Sequence, residues 1–289
     1  MESSPTNVLI LGGTGMLGNA MVRLLAAEPD LTVRATFRSN DARNLFAPEL
    51  GKCLIGGVDV GDPDSLERLF AEQEPDIVIN CVGLIKQLAE SNEVLAAVPI
   101  NTLLPHRLAL HCKAGGARLI HFSTDCVFTG KQGDYRESDQ PDARDLYGIS
   151  KLLGEVTEPH TITLRTSMVG HELGSNRSLL EWFLSQRGSV KGYSRAIFSG
   201  LPTVELARIV REHVIPRPEL HGLYHVSAEP IAKLDLLRLF AAAYERDIEI
   251  VPDEALVIDR SLNSDRFRAA TGYRPPSWPE MVAEMRRFG

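Results

Sequence analysis

The sequence has few cysteines and no long apolar run, and each shortage excludes a class of protein. Four cysteines in 289 residues form no CxxC motif and no pairing pattern. This excludes a small domain held together by disulfides, and reduced thiols in a cytoplasmic protein are expected. No apolar run approaches the roughly 18 residues that suggest a transmembrane helix. Residues 1–6 lack a basic start, so the apolar run that follows them predicts a first strand instead of a signal peptide.

Acidic residues outnumber basic ones, 38 to 31. The net charge is −7 and the pI is about 5.7, which argues against a protein that binds nucleic acid or a membrane surface. Such a chain binds an anionic nucleotide through local basic groups and helix N-termini. The sequence contains no HExxH motif, no Cys/His cluster and no EF-hand spacing, so no metal is predicted.

Short apolar runs alternate with helical patterns in the first half of the chain. This alternation predicts an α/β, Rossmann-type, doubly wound parallel sheet. After about residue 166 glycine and proline become frequent and the pattern breaks up. We therefore predict a dinucleotide-binding domain with the catalytic residues over 1–166. A smaller substrate-binding lobe is predicted over 167–289, with some segments returning to the first domain. The six predicted strands are Val8–Leu11, Thr32–Phe37, Lys52–Ile55, Asp76–Cys81, Arg118–Ser123 and Thr161–Arg165.

A glycine-rich turn follows the first predicted strand. Gly12 allows a tight turn, Gly15 lets the backbone approach a pyrophosphate, and Gly18 permits close packing of helix and sheet. Thr14, Met16 and Leu17 lie in the same stretch and are expected to line the cofactor. A purely structural turn is the alternative.

The ends of the next strands carry further candidates for cofactor binding. Arg38 follows the second strand, where an acidic residue would hold a ribose 2′-hydroxyl. An arginine there pairs with a 2′-phosphate, which favours NADP(H) over NAD(H), although Asp41 nearby weakens this preference and Arg38 could be a solvated charge. NAD(H) therefore stays open as the alternative. Asp59 and Val60 are expected near the adenine, unless Asp59 is an ordinary loop residue. Cys81, Val82 and Gly83 are expected along the cofactor, with Gly83 favoured as a contact and Cys81 as core.

Three residues predict the chemistry. Tyr147 precedes Lys151 by four residues, which places both on one face of a helix. The ammonium would lower the pKa of the phenol toward working pH and bind the nicotinamide ribose. Thr124 ends the fifth predicted strand and would direct its hydroxyl at the substrate oxygen. Together they are typical of a hydride-transfer site.

These motifs resemble the extended short-chain dehydrogenases/reductases, and within that superfamily the dTDP-4-dehydrorhamnose reductase group is the most similar. The resemblance implies NADPH-dependent reduction of a nucleotide-activated 4-keto-6-deoxy sugar at carbon 4. Thr124, Tyr147 and Lys151 fall on the catalytic positions, and Tyr147 gives the proton. It also implies a role in surface polysaccharide or glycan synthesis, and the fold suggests a homodimer. The matching segments are Gly12–Gly18, Phe122–Asp125, Val127–Phe128, Tyr147–Glu155, Leu164–Ser167 and Leu262–Phe267.

Cys126 departs from the pattern of that group. Related dehydratases carry a glutamate there as a base, so dehydration is not expected. The family implies a second function for a cysteine at this position. GDP-fucose synthases use this cysteine together with a histidine to epimerise the sugar before they reduce it. His171 lies close to the corresponding place. The alternatives are that Cys126 packs and His171 is a loop histidine, or that the chain is a non-catalytic NADP-binding regulator.

Further residues are candidates for contact with the nucleotide sugar. Thr124, Asp125 and Cys126 end the fifth strand, and Lys86 lies in the loop after the fourth. Arg195 lies in the second lobe, where relatives bind the diphosphate, and its guanidinium suits phosphate. Arg260 is a weaker candidate.

Overall fold

A seven-stranded parallel sheet forms the centre of the molecule, in a computed structural model that describes residues 4–174 and 176–289. Its strand order is β11-β6-β5-β4-β1-β2-β3, so the chain runs outward in both directions from β1, as in a Rossmann fold. The predicted fold class is confirmed. The strands are β1 (Thr6–Leu11), β2 (Leu31–Phe37), β3 (Leu54–Gly56), β4 (Ile77–Asn80), β5 (Arg118–Thr124), β6 (Thr161–Thr166) and β11 (Gly222–His225).

Some helices cover the two faces of this sheet, and others pack on small strands in the second half of the chain. They are α1 (Met16–Leu25), α2 (Pro63–Gln73), α3 (Val94–Ala97), α4 (Leu104–Gly115), α5 (Leu146–Leu153), α6 (Leu179–Ser185), α7 (Thr203–Ile209), α8 (Lys233–Ala243), α9 (Asp265–Thr271) and α10 (Trp278–Phe288). A π-helix, Val98–Leu103, joins α3 to α4. A second π-helix, Val210–Val214, continues α7.

Side chains of each central strand alternate between two apolar cores. In β1, Val8 and Ile10 belong to the core that contains α1 and α7, whereas Leu9 and Leu11 belong to the core that contains α2 and α4. A strand buried on both faces has this pattern because successive side chains point to opposite sides. The parallel strands therefore all end at one edge, where their following loops meet.

The second half of the chain supplies a smaller lobe and also returns to the main sheet. The remaining strands are β7 (Met168–Val169), β8 (Ser189–Tyr193), β9 (Ala196–Phe198), β10 (Leu201–Pro202), β12 (Ile231–Ala232), β13 (Glu249–Asp253) and β14 (Ile258–Asp259). They form small sheets, one of them in the order β12-β9-β14. β11 pairs with β6 in the main sheet, where Tyr224 lies opposite Leu164.

The described residues contain neither a membrane-spanning helix nor a cluster of metal ligands. No helix there is long and apolar enough to span a membrane. No group of three or more His, Cys, Asp or Glu side chains there could hold a metal ion.

Candidate active site

The glycine-rich turn joins β1 directly to α1. Gly12 has φ of +82°, and a Cβ at this position would lie 2.9 Å from Val82 Cγ2. A Cβ at Gly18 would overlap the carbonyl oxygen of Gly12, so both positions require glycine in this packing. Gly15 precedes α1 and makes no side-chain cap. The N–H groups at the start of α1 therefore remain available to an anion such as a pyrophosphate. Thr14 and Met16 are half-buried beside them, and Leu17 is buried.

The other predicted cofactor contacts lie at the same edge of the sheet. Arg38 is exposed directly after β2. Asp59 follows β3, and its Oδ1 accepts a hydrogen bond from Gly61 N at 2.9 Å. Val60 is half-buried next to it. Burial raises the pKa of the Cys81 thiol after β4, so this cysteine stays protonated and packs against the core.

Val82 is half-buried, and the next residue, Gly83, lies between this cofactor edge and the predicted catalytic residues. A Cβ at Gly83 would lie 3.5 Å from Asn101 Oδ1 and 3.9 Å from Lys151 Nζ. Lys151 is buried, and its Nζ donates a hydrogen bond to Phe122 O at 2.7 Å. Burial lowers the pKa of Lys151 to about 8, and the carboxylate of Glu155 works in the opposite direction.

Tyr147 lies on α5, one turn before Lys151, and the end of β5 carries Thr124. Burial raises the pKa of Tyr147, and the nearby Cys126 raises it further, whereas interaction with the Thr124 side chain lowers it. The sequence predicts that Lys151 lowers the pKa of Tyr147, but this effect is not seen. Burial dominates the pKa of the phenol, and the ammonium of Lys151 donates its hydrogen bond to Phe122 O instead. The phenol is therefore held in its protonated form.

α5 is fixed at its start and packed closely against the end of β5. Asp145 caps the helix, since its Oδ1 accepts from Gly148 N at 2.9 Å. Its Oδ2 forms an ion pair with Lys86 at 2.9 Å, so the predicted substrate residue Lys86 is bound to the N-terminus of α5. A side chain at Gly148 would overlap Cys126 O, and the glycine thus permits the close approach of Tyr147 to Thr124.

Among the described residues no hydrogen bond joins Cys126 to His171, the two residues that the resemblance pairs for proton removal. His171 Nδ1 lies 2.8 Å from Glu181 Oε1, and its Nε2 lies 2.8 Å from Tyr244 Oη, so both ring nitrogens are engaged in the second lobe. Burial, with the neighbouring Asp125, raises the pKa of the Cys126 thiol to about 12. A thiol with this pKa is almost entirely protonated at neutral pH.

The remaining substrate candidates differ in position. Burial raises the pKa of Asp125, and Thr124 Oγ1 donates to its Oδ1 at 3.2 Å. Arg195 is exposed in the turn between β8 and β9. Arg260 donates from Nε to Phe128 O at 2.7 Å, which attaches the second lobe to the segment that follows β5.

A buried ionic network beneath the site is absent from the sequence prediction. Glu155 accepts from Ser123 Oγ at 2.6 Å and from Arg165 Nε at 2.7 Å, and a second bond from Arg165 reaches its other oxygen at 2.7 Å. Ser123 and Arg165 are register partners on β5 and β6. Glu155 therefore fixes the end of α5 to the two strands beside Thr124. The only sequence signal for it is its spacing of four residues after Lys151.

Comparison with known proteins gives one family over nearly the whole chain. The family model of the RmlD substrate binding domain matches residues 6–286. The spore coat polysaccharide biosynthesis protein SpsK of Bacillus subtilis (strain 168) is 30% identical over 294 residues, 96% of each chain. A dTDP-4-dehydrorhamnose reductase of Aggregatibacter actinomycetemcomitans is 24% identical over 306 residues, 97% of this chain and 98% of that protein.

A solved structure shows the same fold. The crystal structure of dTDP-4-dehydrorhamnose reductase from Bacillus anthracis, in complex with NADP, covers 100% of both chains with a TM-score of 0.81 and 20% identity. The shared fold includes both the main sheet and the second lobe.

Proposed function

The chain belongs to the RmlD substrate binding domain family, as its motifs predict, and from this premise we propose that it is an NADPH-dependent reductase of a nucleotide-activated 4-keto-6-deoxy sugar. The observation that supports this most directly is the meeting of three features at one sheet edge. The uncapped glycine turn fits a pyrophosphate, Thr124 interacts with the phenol of Tyr147, and Lys151 lies beside Gly83. The relatives named as dTDP-4-dehydrorhamnose reductases support the same class of substrate.

In the proposed reaction each residue has one task. NADPH, when bound, supplies a hydride for carbon 4 of the sugar. The phenol of Tyr147 gives its proton to the carbonyl oxygen, and the Thr124 hydroxyl donates a hydrogen bond to the same oxygen. The ammonium of Lys151 stabilises the phenolate that forms. A ketone, a hydride and a proton thus give an alcohol, and solvent restores the proton of Tyr147.

A panel of substrates in D₂O tests this proposal. The protein is mixed with NADPH and with dTDP-, UDP- and GDP-linked 4-keto-6-deoxyhexoses, and the products are read by NMR. We expect consumption of NADPH with at least one sugar and a product without deuterium at carbons 3 and 5. No reaction across the panel, with NADPH still bound, would overturn the proposal and favour the non-catalytic regulator.

No observation of the structure favours the epimerase alternative. The thiol of Cys126 is protonated and His171 is engaged elsewhere. Deuterium at carbon 3 or 5 that disappears in Cys126→Ser would nevertheless establish it in the same experiment.

We propose NADP(H) as the preferred cofactor because Arg38 is exposed directly after β2, where its guanidinium can pair with a 2′-phosphate. Arg38→Gln should weaken NADPH binding about tenfold or more, the size of a charged hydrogen bond, and leave NADH binding unchanged. The matched control is Arg68→Gln, an exposed arginine on α2. Equal loss for both nucleotides would contradict this role of Arg38.

We propose that two copies associate through an apolar face formed by α3, α4 and α5. Leu95 on α3, Leu110 on α4 and Leu153 on α5 have exposed fractions of 92%, 69% and 57%, and an exposed apolar patch marks an interface. Leu110→Lys should shift the protein from dimer to monomer in analytical ultracentrifugation, whereas Leu45→Lys, at an exposed leucine elsewhere, should not. A wild-type monomer would contradict the dimer.

The biological setting follows from the relatives. SpsK is named for the biosynthesis of a spore coat polysaccharide, and we propose a comparable role in the synthesis of a surface glycan. All four cysteines are free thiols, which suits a cytoplasmic location.

A further inference from the structure

His225 lies in a buried row of polar side chains that crosses three strands beneath the candidate site. It is the last residue of β11 and lies opposite Arg165 of β6. Arg165 in turn lies opposite Ser123 of β5. All three residues are buried, and buried polar groups are costly unless each of them has a hydrogen-bond partner. The partners of His225 therefore indicate what this row holds in place.

Two hydrogen bonds determine the protonation state of the His225 ring. Arg165 Nη1 lies 3.3 Å from its Nε2, and because a guanidinium only donates, Nε2 is the acceptor. Nδ1 then carries the proton of the neutral ring and donates to Tyr135 O at 2.9 Å. Burial and the charge of Arg165 lower the pKa of His225 to about 4, so the ring is neutral at neutral pH.

The partner Tyr135 lies in the middle of the segment that joins Thr124 to Tyr147, here called the connecting segment. The backbone N–H of His225 donates to Glu137 Oε1 at 2.7 Å, in the same segment. β11 therefore holds the connecting segment at two points, one through the side chain of His225 and one through its backbone. The residues at the two ends of this segment are the ones that the proposed function uses for proton transfer.

The same polar row also reaches the far end of α5. Arg165 donates two hydrogen bonds of 2.7 Å to Glu155, which follows α5 four residues after Lys151. The connecting segment leads into the N-terminus of α5, and Glu155 holds its C-terminus. Both ends of this helix are thus attached, through Arg165 and His225, to a strand from the second half of the chain.

We propose that His225 is a positioning residue for the reduction. It holds the connecting segment and, through Arg165, the helix α5, so that the phenol of Tyr147 keeps its place at the reacting carbonyl. This inference rests on the proposed function, because that function assigns the proton transfer to Tyr147. Misplacement of a reacting group by about 1 Å can cost roughly 100-fold in rate, so hydrogen bonds remote from the substrate can control kcat.

Hydrogen exchange of the whole chain, read by mass spectrometry, tests the attachment without turnover. His225→Phe keeps a ring but removes both side-chain bonds. We expect amides of the connecting segment and of α5 to exchange about tenfold faster or more, roughly the loss of a buried hydrogen bond, while amides of α2 keep their rates. His221→Phe replaces an exposed histidine before β11 and should change neither. Wild-type exchange in α5, or an equal increase in α2, would overturn the inference.

Kinetics with the accepted 4-keto sugar separate positioning from a general loss of stability. In His225→Phe we expect kcat per NADPH-binding site to fall about 10- to 100-fold, with the Kd for NADPH nearly unchanged. A residue with only a structural role would reduce the number of NADPH-binding sites and leave kcat per site at the wild-type value. That result would contradict the positioning role.

His225→Asn carries the same tests if His225→Phe does not fold. Its amide nitrogen lies near the place of Nδ1 and keeps a donor for Tyr135 O, so the bond from Arg165 is the one lost. Smaller effects are expected, about three- to tenfold in exchange and in kcat, and wild-type values for both would overturn the inference. If the wild type reduces no 4-keto sugar, the proposed function fails, whereas the exchange rates of α5 still decide whether His225 holds this helix.

Discussion

At the scale of the residue, the candidate site keeps its groups in the protonation states that a reduction needs. The phenol of Tyr147 has a raised pKa and holds its proton until a carbonyl oxygen accepts it. Lys151 has a lowered pKa because it is buried, so it is the group whose charge changes near working pH. The helical spacing predicts that Tyr147 and Lys151 share a helix, and α5 contains both. The spacing cannot predict burial, and burial reverses the expected shift of the tyrosine.

The pH dependence of kcat/KM follows from Lys151. Its ammonium is present below about pH 8 and is lost as the pH rises through that value, while Tyr147 stays protonated. We therefore expect kcat/KM to be level below about pH 8 and to fall above it. A pH–rate profile with the accepted sugar measures this. A profile that stays flat beyond pH 10.5, the ordinary pKa of a lysine, would contradict the assignment.

At the scale of the element, the turn from β1 to α1 shows how much a local pattern determines. The spacing of Gly12, Gly15 and Gly18 predicts a turn that binds a nucleotide. The structure shows why Gly12 and Gly18 must be glycine, because a Cβ at either position would clash with neighbouring atoms. A local pattern does not predict the buried network. Glu155 follows α5, whereas Ser123 and Arg165 lie on β5 and β6, and only the tertiary fold brings these three residues together. Short strands such as β12 and β14 also escape sequence analysis, since two residues carry no periodicity.

Gly18→Ala tests the packing of the turn. The added Cβ overlaps the carbonyl oxygen of Gly12, so the start of α1 must move and the pyrophosphate site with it. We expect NADPH affinity to fall by about tenfold or more, roughly the loss of one charged hydrogen bond. Gly51→Ala is the control, because a Cβ there meets nothing within 4 Å. Unchanged affinity in Gly18→Ala would refute the proposed position of the pyrophosphate.

At the scale of the whole molecule, the two halves of the chain are built into each other. β11 completes the main sheet beside β6, and α7 packs against α1 in the same apolar core. The sequence predicts a change of pattern at residue 166 and the return of some segments. It does not identify β11, because Gly222–His225 is short and ends in a buried histidine.

A fragment of residues 1–166 tests this interdependence. It lacks β11 and α7, so it exposes the edge of β6 and the buried face of α1, including Met21 and Val22. We expect it to be insoluble or to melt without cooperativity in circular dichroism, whereas the full chain melts in one transition. Cooperative unfolding of the fragment near the melting temperature of the full chain would show an independent first domain.

The measurement that tests the central claim most directly is the turnover of Tyr147→Phe with NADPH and the accepted 4-keto sugar. Removal of the proton donor should lower kcat by about 10²–10⁴-fold and leave the Kd for NADPH nearly unchanged. Tyr244→Phe, which removes a phenol bound to His171 in the second lobe, serves as the control and should retain turnover. Wild-type turnover in Tyr147→Phe would contradict the proposed mechanism.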